Sequence, residues 1–317
     1  MKVSVVVPVY NGEKTVGKTV DALLGQSLPQ KEYEILVVDD GSTDGTLGVL
    51  KNYGRSIRVV KAGRNGGPGK ARNRGIMEAR GAIVAFTDGD CVPDSDWLEK
   101  GLAQFDAGVV AVGGRTYTDK EKMSYLTHYS DNEKDNGLYP TCNILYRKDA
   151  LTDVGGFSEE IPVPFSEDTD LAWRVQRAFP GKTFTFAADA GVFHPCSPAS
   201  LRRIIRIEAE FREYDALVFG RNPEQFRKKF MLLGHMKKSS LFLAVPLSLF
   251  FVVLAAPFLF PLWLLAYLVY VAFYFRTRKW KFELKSTAAA ALTLWFMPLL
   301  KEFWLLKGAL RYRRLIF

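Results

Sequence analysis

Charge is missing from one long stretch of this 317-residue chain, since no Asp, Glu, Lys or Arg falls between Leu241 and Phe275. As helix, those 35 residues would reach roughly 52 Å, against a hydrocarbon core of about 30 Å. Pro257 and Pro261 stand near the middle, where proline removes backbone donors and favours a break. The stretch therefore reads as two short membrane helices forming a hairpin over about 241–275; a buried pair in a soluble core seldom uses so long an uncharged run. Cysteine is also scarce. Cys91, Cys142 and Cys196 are widely spaced and include no C-x-x-C pair, which argues against a disulfide framework or a zinc site and points to a reducing compartment. A signal-like apolar leader is lacking too: the Val run after Lys2 stops at Pro8 and Asn11, so residues 3–9 read as a strand. No G-x-G-x-x-G follows that strand, and NGGPGKAR (65–72) has neither the spacing nor the Ser/Thr of a P-loop, which weakens dehydrogenase and ATPase readings.

The charge that is present is unevenly placed. The chain carries 43 Lys plus Arg and 34 Asp plus Glu, net +9. Residues 201–317 hold 20 basic and 7 acidic groups, net +13, while residues 1–200 are net −4. Arg227, Lys228, Lys229, Lys237 and Lys238 precede the uncharged stretch, and Arg276, Arg278, Lys279 and Lys281 follow it. By the positive-inside rule both flanks are cytoplasmic, so the front domain faces the cytoplasm of a cell membrane and the basic back meets an anionic membrane surface. Nucleic acid is not among the expected partners. A third apolar stretch, Ala288 to Leu300, runs into Lys301, Glu302, Lys307 and Arg311, so a helix over about 286–310 should lie in the interface or re-enter. Residues 198–220 place Leu201, Ile204, Ile205, Phe211, Tyr214 and Leu217 at helical spacing beside Arg202, Arg203 and Arg206, as an amphipathic surface helix or a domain-packing helix would. The expected division is a catalytic domain over 1–200, juxtamembrane helices over 201–238 and a membrane domain over 239–317.

In the front domain, short β-branched runs at 3–9, 34–38, 57–60 and 82–87 alternate with helical patterns around Thr15–Gln26, Thr43–Tyr53 and Gly69–Arg80. That alternation predicts βαβ units, an α/β fold and a mostly parallel sheet. In such sheets ligands bind beyond the carboxyl ends of the strands. The polar clusters sit there: Tyr10-Asn11 after the first strand, Asp39-Asp40 after the second, Arg64-Asn65 after the third and Asp88-Gly89-Asp90 after the fourth. Carboxylates do not hold phosphates unless a cation stands between them, so the pattern asks for a hard divalent ion. Asp88 and Asp90, two apart at a strand end, turn to the same side. An Asp pair in a surface turn has the same look when it stands alone.

It does not stand alone. VSVVVPVYNGEKTV, ILVVDDGSTDGT, GGPGKARNRGI, AFTDGDCVPD, CNILYRKDALTDVGGFSEEI and SEDTDLAWRV follow one another in that order over roughly residues 1–200. Together they resemble a family 2 glycosyltransferase with the GT-A fold. The resemblance implies a nucleotide-sugar donor and Mn²⁺ or Mg²⁺. Pro8, Tyr10 and Asn11 would line the base pocket, and of the pair Asp39 and Asp40 the second would hydrogen-bond the base. Arg72 would approach the base or diphosphate, Asp88 the ribose or the metal through water, and Asp90 the metal, with His194 as a further ligand. Asp168 matches the catalytic base, with Glu167 beside it and Asp170 secondary. Asn143 and Arg147 fall where relatives approach donor sugar or acceptor.

Each role has a bland counterpart. Asp40 could cap the helix near Thr43, Arg72 could be a solvated helix charge, and Ser166, Asp168 and Asp170 are good helix starters anywhere. His128 and His235 have no constellation and read as structural. The Q-x-x-R-W string of processive synthases is absent, which favours transfer of one sugar to a lipid-linked or other membrane acceptor. Transfer onto a bare polyprenyl phosphate is the second choice, because such synthases lack the S-E-D-x-D-L string. A nucleotidyltransferase and a catalytically dead membrane scaffold are the rivals from other classes.

Overall fold

A computed structural model describes residues 2–232, 236–237, 244–278, 280–281 and 283–314. His235, Lys238, Lys279 and residues 241–243, all part of the sequence reading, lie outside the described residues. The chain divides into two compact units, one made of residues up to 118 with 130–195, the other of 119–129 with 196 onward.

The first unit is built on a sheet whose strands and helices alternate: β1 (Val3–Val9), α1 (Val16–Leu24), β2 (Tyr33–Asp39), α2 (Thr46–Lys51), β3 (Arg58–Lys61), α3 (Pro68–Glu78) and β4 (Ile83–Phe86). Then come β5 (Val92–Pro93), α4 (Trp97–Ala103) and β6 (Val109–Tyr117). The two-residue β7 (Thr127–His128) belongs to the second unit, and β8 (Ile144–Arg147), α5 (Lys148–Asp153), α6 (Glu167–Ala178) and β9 (Thr183–Phe193) complete the first. The sheet order is β3-β2-β1-β4-β8-β6-β9-β5. β8 and β5 run against the other six strands.

Period-two alternation divides the sheet's side chains between two cores. Val5, Val7 and Val9 face Val16, Val20, Leu23 and Trp97 on one side. Val6, Leu36, Val38 and Phe86 face Ile76, Leu171 and Val175 on the other. Both faces being covered, β1 and β2 can be apolar at almost every position, as a parallel strand requires. Helix α1 buries Val16, Thr19, Val20 and Leu23, a single stripe at three- and four-residue spacing. Pro68 opens α3 at a position where its missing N–H costs nothing.

In the second unit β7 pairs with β10 (Ser197–Pro198). The segment 119–129 groups with this unit, because its partners are C-terminal, where the sequence suggests one domain over 1–200. The Tyr125 amide donates to Ser286 Oγ at 3.0 Å, and the Tyr125 hydroxyl bonds Thr293. The expected helix over 198–220 is broken into α7 (Leu201–Glu208), a 3₁₀ turn at Glu210–Tyr214 and α8 (Asp215–Arg221), followed by α9 (Pro223–Phe230). That turn holds Glu213 against two cations, Lys307 Nζ at 2.9 Å and Arg311 Nη1 at 2.7 Å. α10 (Ala244–Ala255) and α11 (Phe260–Arg278) are separated at Ala256 by a 3₁₀ turn that begins at Pro257. Trp263 Nε1 donates to Ser248 Oγ at 3.0 Å across that break. α12 runs unbroken from Leu284 to Tyr312 with Pro298 inside it. Pro257–Arg278 and Leu284–Tyr312 are long and apolar enough to cross a membrane. Phe250, Phe251, Phe258 and Phe273 stand exposed on α10, the turn and α11, a surface that water would penalise.

Candidate active site

Because β1, β2, β4 and β9 point the same way, their carboxyl ends share one edge of the sheet. β8 opposes them, with Ile144 paired to Phe86, so its amino end reaches the same edge. Tyr10-Asn11, Asp39-Asp40, Asp88 to Asp90, Asn143 and His194 are thereby delivered together.

On the β1 and β2 side, Asp40 is buried, and its two carboxylate oxygens accept from the backbone N–H of Gly66 (3.0 Å) and Gly67 (2.9 Å). Burial pushes its pKa up, against the pull of those amides. Only glycine serves at 67, where φ is +91° and a Cβ would stand 2.4 Å from the Pro162 carbonyl oxygen. The Asp39 carboxylate accepts from Ser42 N at 3.3 Å. Asn11, in the left-handed region at φ 53°, accepts the Thr43 N–H at 2.8 Å. Asn11 thus helps join the first loop to the second, while the Asp40 side chain turns to the Gly66-Gly67 loop. Pro8 is half-buried, and Tyr10 is 48% exposed, its ring offered to solvent.

Arg72 is the hinge of the arrangement. Its side chain is 4% exposed; Nη2 donates to Asp88 Oδ1 at 2.8 Å and Nη1 to Glu167 Oε1 at 3.0 Å. The guanidinium lies over the Phe157 ring, 5.5 Å from its centre. A residue of α3 thus ties the turn after β4 to the start of α6, which the sequence separates by almost eighty positions. It is no solvated helix charge.

α6 opens at Ser166, itself left-handed at φ 58°, and carries Glu167, Asp168 and Asp170 in its first turn, where the helix dipole favours anions. The three carboxylates have different surroundings. Asp170 is fully buried and bonds Arg174 Nε at 2.8 Å; Arg174 also donates to the carbonyls of Val154 and Gly156. Asp170 therefore anchors the Gly155-Gly156 turn. Asp168 is half-buried, and burial raises its pKa to about 6 although the Thr169 amide, Arg72 and the Thr141 amide draw it down. Glu167 is raised to about 7 by burial and by the charge of Asp168, against Arg72.

Beside Asp88, ligand atoms of Asp90, Cys91 and His194 all lie within 4.8 Å of one another. Burial raises the Asp90 pKa, His194 opposing and Asp88 adding to it. A half-buried carboxyl and a buried imidazole with ligand atoms this close are what a divalent cation would stabilise. Burial pushes the Cys91 thiol well up, so it offers a neutral sulfur, a poor donor to a hard ion. Carboxylate and imidazole fit Mn²⁺ or Mg²⁺ better than the thiol does. His194 Nδ1 faces the Pro195 carbonyl at 3.2 Å; a proton there leaves the lone pair on Nε2.

Two expected residues have other work. Asn143 is 1% exposed; its Oδ1 accepts from Trp97 Nε1 at 2.8 Å, and its Nδ2 donates to the Arg115 and Ala190 carbonyls, each at 2.9 Å. Its amide is spent bracing β8 against β6 and β9. Arg147 lies at the other end of β8 and donates to the Val109 carbonyl at 2.8 Å and the Asp106 carbonyl at 2.5 Å. The sequence reading missed Cys91 beside the D-x-D, the paired Gly66 and Gly67 amides and the Arg72 to Glu167 contact. Gly-Gly-Pro ahead of a helix was the one visible signal for the amides.

The profile of the family described as Glycosyl transferase family 2 matches residues 4–158. Glycosyltransferase AglE of Haloferax volcanii is 34% identical over 209 residues, covering 62% of this chain and 67% of that protein. Among solved structures, S. aureus TarS 1-349 in complex with UDP-GlcNAc aligns with a TM-score of 0.60 at 18% identity, over 99% of this chain and 93% of that one. Mannosyltransferase PcManGT from Pyrobaculum calidifontis, in complex with GDP-Man and Mn²⁺, aligns with a TM-score of 0.58 at 19% identity, over 98% and 87%. At such identities the structures speak for the fold, which is GT-A. With the AglE match spanning two thirds of that protein, the chain belongs to family 2 of the glycosyltransferases.

Proposed function

We propose that this protein is an inverting glycosyltransferase that moves one sugar from a UDP- or GDP-sugar to a lipid-linked acceptor at the cytoplasmic face of a membrane. The observation that carries the reading is the Arg72 bridge, which joins Asp88 of the D-x-D to Glu167, the neighbour of Asp168. Donor-side and acceptor-side motifs are thereby parts of one constellation.

The roles follow from the surroundings. Asp40, backed by two amides, and the exposed Tyr10 ring suit a nucleobase, with Pro8, Asn11 and Asp39 shaping that pocket. Asp90 and His194 would hold Mn²⁺ or Mg²⁺, with Asp88 adjacent. A cation bound there offsets the negative charge that grows on a departing diphosphate. Asp168 takes the proton of the acceptor hydroxyl while that oxygen attacks the anomeric carbon. The bond from that carbon to the phosphate oxygen breaks, the nucleoside diphosphate leaves with the electron pair, and the anomeric configuration inverts. A carboxylate with a pKa of about 6 is a stronger base than an exposed aspartate and is still ionised near neutral pH.

The helices support a membrane setting. α11 with its leading turn has 22 residues, about 33 Å of helix, enough for a core of about 30 Å. In α12 only 15 residues, Ser286 to Leu300, are uncharged, about 22 Å. Its charged half is held by Glu208 and Glu213. That favours an interfacial α12 and a hairpin of α10 and α11, with Arg227, Lys228, Lys229, Arg276 and Arg278 on the cytoplasmic side.

The test is a panel of UDP- and GDP-sugars with lipid-linked acceptors and the purified full chain, with and without EDTA. Metal-dependent release of nucleoside diphosphate with an inverted product is expected. Full activity after metal removal, or retention of configuration, would sink the reading; sugar attached directly to a lipid phosphate would select the polyprenyl-phosphate synthase instead.

A further inference from the structure

The second unit holds a cavity of about 270 Å³ between α7, the end of α11, α12 and the segment around β7. Its walls differ. Ile204, Ile207, Leu294 and Met297 make an apolar side, while Arg278, Lys301 and Glu208 bring charge. Lys301 Nζ is paired to Glu208 Oε2 at 2.7 Å. Among the described residues Arg278 has no ion pair; its guanidinium lies 5.5 Å from the centre of the Tyr274 ring. The cavity therefore has one cation more than it neutralises. Trp280 Nε1 donates to the Tyr129 hydroxyl at 2.9 Å, which fixes the aromatic rim. An Arg fork is the natural receptor for phosphate oxygens, and Arg278, an exposed residue that lines the cavity, is within reach of one. The volume is below the roughly 300–1,000 Å³ of pockets that enclose whole drug-sized ligands. It suits a head group. Beyond the apolar wall, α11 leaves Leu265, Leu268, Val269 and Phe273 exposed, a path for a chain.

We propose that this cavity binds a phosphate-headed lipid, its phosphate on Arg278 beside the Lys301 and Glu208 pair, and its tail running out along α11. It rests on the reading above that the acceptor is lipid-borne.

The experiment photolabels the full chain in phosphatidylcholine nanodiscs with a diazirine-bearing farnesyl phosphate and maps the labelled peptides. Label on α7 and α12 is expected, displaced by unlabelled farnesyl phosphate and not by farnesol. Arg278→Gln should weaken it by about tenfold, the loss of one charge-assisted contact. Met297→Trp, which keeps the charges but fills the space, should abolish it. Both variants should keep the thermal shift given by UDP- or GDP-sugar with Mn²⁺, which shows that they fold. Displacement by phosphatidylglycerol as effective as by farnesyl phosphate would identify bulk anionic lipid as the source of the same head. Equal labelling in wild type and both variants, equal displacement by farnesol, or displacement by inorganic phosphate alone would overturn the pocket while leaving the lipid acceptor standing. Sugar transfer to a water-soluble acceptor with no lipid requirement would fail the underlying reading instead.

Discussion

Two acidic clusters face each other across Arg72, and they are built for different ends. After β4, Asp90 is set against an imidazole and a thiol in a tight group whose ligand atoms lie within 4.8 Å. At the start of α6, Asp168 has amides and a hydroxyl around it, and Glu167 takes the arginine. On the function proposed above, identical side-chain chemistry would serve as a cation seat in one place and a proton acceptor in the other. Environment, and not residue type, assigns the work.

The comparison breaks most visibly at its proton-accepting side. Asp168→Asn should lower kcat by up to about 10⁴-fold, because a general base contributes about 10²–10⁴. Donor affinity with Mn²⁺, followed by calorimetry, should be unchanged. Asp90→Asn inverts that pattern: turnover falls by about 10³-fold, as expected of several kcal/mol of charge stabilisation, and donor binding loses its response to Mn²⁺. If both variants lose donor binding equally, the two clusters are not separate.

The join between them is tested by Arg72→Gln. Buried Glu167 and half-buried Asp88 would lose their shared cation, a loss that costs about 3–5 kcal/mol for a buried pair, read as a lowered midpoint in chemical denaturation. An unaltered midpoint would mean that the bridge is incidental. Smaller still is Asn143→Ala, which leaves the Trp97, Arg115 and Ala190 partners unanswered at about 1–3 kcal/mol. Its KM for donor should not move; a raised KM at full stability would return Asn143 to the donor pocket.

Much of the catalytic unit could be read from residue order, since βαβ alternation fixes which ends of the strands collect and the polar pairs follow those ends. β1 falls on residues 3–9 as expected, and Asp40, Asp88, Asp90 and His194 arrive at one edge. What escaped were relations across distance. Nothing near Tyr125 announces that it bonds Ser286 and Thr293, so the sequence does not reveal that the segment 119–129 packs with C-terminal residues. Asn143 sits in a motif beside chemistry, yet its three partners come from α4, β6 and β9, and only their convergence reveals a brace. Helical spacing over 198–220 was real, but it could not foresee the turn that aims Glu213 at Lys307 and Arg311.

The pH dependence of kcat at saturating donor and Mn²⁺ is the sharpest test of Asp168 as a base whose pKa burial raises. Only the ionised carboxylate accepts a proton, so activity must fall as pH drops. The prediction is an acid limb centred at about 6, with tenfold loss per pH unit below it. A rate that stays level down to pH of about 4.5, with a limb near the usual aspartate value of about 3.9, would contradict it.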